Sequence, residues 1–190
     1  MSARGPERIL KMSYCEIAKG HPFHGPHHDE EDGFPVDDDR VLLERLALEI
    51  NQAGLSWLLV LKKRAALNAA FADFDPETVA AFGEADVARL LLDAGIIRNR
   101  RKIEAVIENA RRLLVIRDAE GSFAAWLSRH HPLAHAEWVK LFRATFRFMG
   151  PEIVSEFLMS IGYLPGAHDP DCPVFAKIVA QNPPWMNSGK

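Results

Sequence analysis

Long apolar runs are missing from this chain: nowhere do eighteen uninterrupted apolar residues occur, and Met1–Leu10 carries charges without an apolar stretch of signal-peptide length. A spanning helix needs about 20 such residues, so the expectation is a cytoplasmic protein with no membrane partner. Cysteine is scarce too, with only Cys15 and Cys172 near opposite ends. That is too few for a disulfide framework, and in a cytosolic protein such a pair is usually two separate buried thiols. Positive charge is not in excess: 23 Lys and Arg against 26 Asp and Glu leave a formal charge of −3, which argues against binding nucleic acid through overall charge. Alternating strand patterns, Asn-Gly hairpins, internal repeats and low-complexity tracts are absent as well, which removes sandwiches, barrels and solenoids.

Helical signals are present instead. The 190 residues, 48 % hydrophobic and 26 % charged, fit one globular domain over 1–190. Residues 1–36, rich in Gly, Pro and His, show no helical period and read as a loop or arm, with 1–14 as its free end. From Asp39, expected as an N-cap, an apolar stripe of Val41, Leu42, Leu46, Leu48 and Ile50 runs to Gly54. Ser56 caps a second helix, and Asp75-Pro76 opens a third. Glu84–Leu92, Arg98–Ile116, Phe123–Ser128, Ala136–Thr145, Glu152–Ile161 and Val174–Gln181 follow. The prediction is an all-α protein of eight to ten short helices.

Cations gather at Lys62, Lys63 and Arg64, at Arg98 to Lys102, and at Arg111, Arg112, Arg143 and Arg147. Each group reads either as a solvated helix face or as a set of phosphate contacts. Phe146 to Ile153 puts Gly150-Pro151 between two amphipathic segments. This is either an ordinary helical corner or a helix-hairpin-helix over 146–161, whose turn offers backbone N–H groups at a helix N-terminus to DNA phosphate. Cys15 is followed by His28 and Cys172 is preceded by His168, a donor set suited to tetrahedral zinc, although His21, His24 and His27 are also open to Cys15. Four protein ligands leave no place for water, so such a site is structural.

Several segments in order resemble the 3-methyladenine DNA glycosylase I family. They are His28 to Pro35, Leu48 to Trp57, Val60 to Arg64, Phe74 to Pro76 and Asp93 to Arg100, with a looser block from Phe146 to Cys172. The resemblance implies a helix-hairpin-helix glycosylase fold. It also implies base-excision repair: flipping an alkylated purine out of double-stranded DNA and hydrolysing its N-glycosidic bond. Cys15, His28, His168 and Cys172 fall on the family's zinc ligands, implying one structural Zn²⁺ that joins segments 15–28 and 168–172. Glu49 falls on the pocket carboxylate and Trp57 on a pocket aromatic, while Gly150, Arg143 and Arg147 would meet DNA. By residue type alone, Glu49 is also readable as a buried acid paired with Arg, and Trp57 as core.

The resemblance has departures. Where the family carries pocket aromatics this chain has Ile17 and His27, and Asp32 stands in place of a Trp. Glu152 and Ser155 replace the usual Thr and Tyr after the hairpin, and Gly166-Ala167 replaces Asn-Asp. The expectation is a monomeric, monofunctional glycosylase for alkylated purines, 3-methyladenine first. The alternatives are a relative with the same fold and another lesion, or a silent DNA-binding module.

Overall fold

The computed structural model describes residues 12–187, and the described residues contain no strand. They form α1 (Tyr14–Ala18), α2 (His24–Glu30), α3 (Asp39–Gln52), α4 (Trp57–Ala70), α5 (Pro76–Ala80), α6 (Glu84–Leu92), α7 (Arg100–Glu120), α8 (Phe123–His130), α9 (His135–Thr145), α10 (Pro151–Ser160) and α11 (Pro173–Ala180). Single 3-10 turns lie at Ala72–Phe74 and Pro184–Asn187.

Two of these correct the sequence reading. The segment expected to be a loop up to residue 36 contains α1 and α2, both too short to show a period. Ser13 starts α1 with a capping box: its Oγ accepts from Glu16 N at 3.3 Å, and Glu16 Oε2 accepts from Ser13 N at 2.8 Å. Most of the expected 1–14 arm lies outside the described residues. The cap of α3 is Asp38, whose Oδ1 accepts from Arg40 N and Val41 N. Asp39 instead reaches across to accept from Phe123 N at 2.8 Å, tying α3 to the start of α8. Asn99 caps α7, which runs past the expected Ile116 to Glu120 and stops at Gly121, where φ is +91°.

Helix α3 is the hub, packing on α4, α7, α8 and α10. Leu42, Leu43, Leu46, Leu48 and Ile50 are at most 1 % exposed, so burial reaches round the helix and takes charged residues with it. Arg45 and Glu49, one turn apart, share a face. Apart from the main core, a small satellite core among the described residues has Cys172, Val174 and Ile178 as its buried members, with Cys15, Phe34 and Phe175 against them. That patch is too small to fix the chain's two ends by apolar burial alone.

Candidate active site and metal centre

The four cysteine and histidine side chains meet in that satellite core. Cys172 Sγ lies 3.7 Å from His28 Nε2 and 3.6 Å from His168 Nδ1, and Cys15 Sγ lies 3.9 Å from the same Nδ1. All four ligand atoms fall within 4.8 Å of one another. A tetrahedral ion with bonds of about 2.3 Å to sulfur and about 2.0 Å to nitrogen spaces its ligands roughly 3.5 Å apart, so the cluster can hold a metal ion. The far nitrogens are held as such a site requires. His28 Nδ1 is 2.7 Å from Asp29 Oδ1, and His168 Nε2 is 2.8 Å from the Asp32 carbonyl. Of the histidines left open by spacing, His24 and His27 face Tyr14, and His21 Nδ1 accepts from the N–H groups of Phe23 and His24.

Beside the cluster, a cleft of about 490 Å³ opens between α1–α2, the end of α3, the start of α4, and α10. Glu49, Trp57, Ile17 and His27 all line it, together with Asp32 and Tyr14. Trp57 is half-buried, packing against the main core while also lining the cleft. Its Nε1 donates to Tyr14 Oη at 3.1 Å, and its ring meets His27 edge-on at 5.1 Å. Tyr14 was not anticipated, although Ser13-x-x-Glu16 is the readable start of the helix that carries it.

Acids near the cleft divide into two kinds. Glu44 accepts from Arg64 through both oxygens at 2.8 Å and from Asn68, and Glu31 pairs with Arg64 at 2.8 Å and Arg45 at 2.9 Å. The two arginines are thereby engaged. Glu49 and Asp32, 7 % and 9 % exposed, make no side-chain hydrogen bond or ion pair among the described residues. Glu49 is therefore not the Arg-paired acid that residue type allowed.

Burial drives the Glu49 carboxyl well above the usual carboxylate range; the charges of Glu156 and Asp32 add to this and Arg45 opposes it. Burial likewise pushes Asp32 up to about 7, against the pull of Arg45. His27 is pulled down to about 2 by burial, and by the Arg45 and Arg64 cations, so its imidazole stays neutral.

A second cavity of about 500 Å³ shares Glu49, Gln52 and Glu156 with the first and extends to Gly150 and Glu152. Gly150 caps α10 with φ −85° and ψ 164°, and Pro151 follows at the first helical position. The left-handed residue of this turn is Phe148, φ +65°, not the glycine. Asn109, fully buried, clamps the loop by accepting from Arg147 N at 2.7 Å and donating to Arg147 O at 3.1 Å. Arg143 Nε donates to Met149 O at 3.1 Å, bracing the turn, and Arg143 and Arg147 are both exposed. Ser155 is half-buried on α10.

Other expected surface cations do internal work. Lys102 Nζ donates to Asn51 O at 2.8 Å and Ala53 O at 2.7 Å, Lys63 bonds the Ala94 and Gly95 carbonyls, and Arg111 those of Ala80 and Phe82.

A family model described as methyladenine glycosylase matches residues 17–175. The chain belongs to that family. This methyladenine glycosylase family member is 50 % identical over 103 residues to DNA-3-methyladenine glycosylase 1 of Escherichia coli, a match spanning 54 % of the chain and 55 % of that protein. It is 32 % identical to DNA-3-methyladenine glycosylase of Haemophilus influenzae, over 77 % of the chain and 89 % of the relative. Among solved structures it resembles a variant of 3-methyladenine DNA glycosylase I crystallised with 3-methyladenine, with TM-score 0.78 and 34 % identity over 86 % of the chain and 97 % of the other. The Staphylococcus aureus enzyme superposes with TM-score 0.77 at 33 % identity, covering 85 % and 95 %. The all-helical fold is that of these glycosylases, and no helix among the described residues is long and apolar enough to cross a membrane.

Proposed function

We propose that the protein is a monofunctional glycosylase of base-excision repair. It flips alkylated purines out of double-stranded DNA and hydrolyses their N-glycosidic bond, with 3-methyladenine the principal substrate. The observation that carries this reading is Glu49: nine-tenths buried, without a hydrogen-bond partner, in a cleft walled by Trp57.

An N3-alkylated adenine is cationic, so an aromatic face attracts it and two uncompensated acids favour its charge. Its arrival stabilises the ionised Glu49 that burial alone disfavours. When the bond from C1′ to N9 breaks, the electron pair leaves with the base and neutralises it. The carboxylate then stabilises the oxocarbenium-like sugar until water adds at C1′, its proton passing to Glu49. No lysine among the described residues lines the cleft, which agrees with hydrolysis without a Schiff base.

The metal centre would take one zinc ion per chain on Cys15, His28, His168 and Cys172. With four protein ligands it supplies no water and no chemistry to the reaction; its effect is to hold α1 and α2 as one wall of the cleft. The Gly150 backbone, Arg143 and Arg147 would lie on DNA phosphates flanking the flipped nucleotide, which fits the cavity running from Glu49 to Gly150. The protein is read as a cytoplasmic monomer.

The test is release of free 3-methyladenine from methylated duplex DNA, with Glu49→Ala as control. Release that the variant abolishes supports the reading; equal background from both removes it. Ile17, His27 and Asp32 in the cleft favour a second reading, a shifted lesion preference, which a panel of alkylated duplexes would rank. Duplex binding without release from any lesion would leave a silent module.

A further inference from the structure

Apart from imidazoles, the cleft is lined by two aromatic rings, Trp57 and Tyr14. Tyr14 stands one residue before Cys15, so the segment that carries a metal ligand also carries part of the cleft wall. Its hydroxyl sits where three groups converge. It accepts from Trp57 Nε1 at 3.1 Å and lies 3.3 Å from both His24 Nδ1 and His27 Nδ1. Having one proton, it can donate to only one of the two imidazoles at a time, while its lone pair receives the indole N–H. The ring is boxed edge-on by His24 at 5.5 Å and by His28 at 5.8 Å. It is nonetheless half-buried rather than sealed, and borders open space.

Ile17 lies three residues on, on the same face of α1, and lines the same cleft with 44 % of its surface exposed. An aliphatic side chain there gives no π-face to a planar cation, whereas a tyrosine one helical turn earlier does.

We propose that Tyr14 is a base-contacting, specificity-determining residue: the second aromatic surface of the cleft, set against Trp57 by the indole-to-hydroxyl hydrogen bond and held in place by the adjoining metal centre. This rests on the glycosylase reading above. It adds that the base is gripped by an aromatic pair whose spacing the metal segment determines, so that the substrate is a planar, cationic purine reaching both rings.

The experiment measures binding of free 3-methyladenine by calorimetry, and KM and kcat for release from methylated duplex. It uses wild type, Tyr14→Phe, Tyr14→Ala and the double variant Tyr14→Ala with Ile17→Trp. Metal content and melting temperature are followed for each.

Tyr14→Phe keeps the ring and removes the acceptor of the Trp57 N–H, so Kd should rise roughly 3- to 10-fold with metal content unchanged. Tyr14→Ala should raise Kd and KM roughly 5- to 100-fold, the worth of one base stack, with a smaller change in kcat. Adding Ile17→Trp should restore most of that loss, which a purely structural role for Tyr14 would not allow. Unchanged affinity in Tyr14→Phe, unchanged affinity in a folded Tyr14→Ala, or no rescue by Ile17→Trp each overturns the proposal. If Tyr14→Ala loses its metal or fails to fold, Tyr14→Phe decides. Wild type that neither binds nor releases the base defeats the glycosylase reading itself; active wild type with indifferent variants defeats this inference alone.

Discussion

Glu49→Gln should make the protein more stable and far less active. The side chain keeps its shape and loses its charge. On the activity side, a carboxylate about 4 Å from a developing cation, at an effective dielectric of about 20, is worth roughly 4 kcal/mol. An amide dipole retains part of this, so the rate of base release should fall about 10²- to 10³-fold. On the stability side, the native acid is buried, has no hydrogen bond, and faces Glu156 and Asp32, so its ionised form is disfavoured.

Because the folded carboxyl is held above its unfolded value, the folded state binds the proton more tightly than the unfolded chain. Wild type is therefore unpenalised at pH values below the unfolded carboxylate range and loses stability as pH rises through the raised folded value. Glu49→Gln escapes that loss. At pH 8 it should gain on the order of 1–2 kcal/mol, or roughly 2–8 °C in melting temperature for a chain of this length, and the gap should close toward pH 4 to 5. Thermal melts of both proteins across pH, with parallel release assays, measure this. A variant melting below wild type at pH 8, a gap that narrows as pH rises, or a wild-type rate would refute the reasoning.

Four further outcomes are expected. Cys172→Ala, or a strong chelator, should bring bound metal down from about one per chain and lower the melting temperature, because only Val174 and Ile178 share its buried cluster; far-ultraviolet circular dichroism should stay helical because the main core is separate. Lys102→Met should cost about 2–4 kcal/mol in urea unfolding, since it strands the Asn51 and Ala53 carbonyls at the end of the helix that carries Glu49. At Gly150 an added Cβ meets nothing within 4 Å and φ is negative, so Gly150→Ala should change stability by no more than about 0.5 kcal/mol. It should nevertheless weaken duplex binding if phosphate approaches that backbone, and Arg147→Ala should reduce the salt slope of binding by about 1.

From Asp39 onward the helices were legible because apolar spacing agreed with local start signals at Ser56 and Asp75-Pro76. Three consecutive aspartates hid which one caps α3, a choice made by the reach of Asp39 to α8. The first two helices escaped because Gly20, Pro22, Gly25 and Pro26 break any period there, and long-range contacts rather than propensity hold them. Cysteine and histidine spacing proposed a metal set but left its histidines interchangeable, and only the fold separates His28 from His24 and His27. Nor does any local signal distinguish Glu44 from Glu49, five positions apart on one helix. What divides them is where Arg64 on α4 reaches: it bonds Glu44 and Glu31, and among the described residues nothing basic bonds Glu49.

The thiol and imidazole cluster draws its members from residues 15, 28, 168 and 172, so during synthesis it cannot close until nearly the whole polypeptide has emerged. The apolar centre can condense earlier, since none of its members belongs to the cluster. With the proposed ion bound, the join between segments 15–28 and 168–172 is the last part to form, and a chain ending before Cys172 would lose that join while keeping its apolar centre.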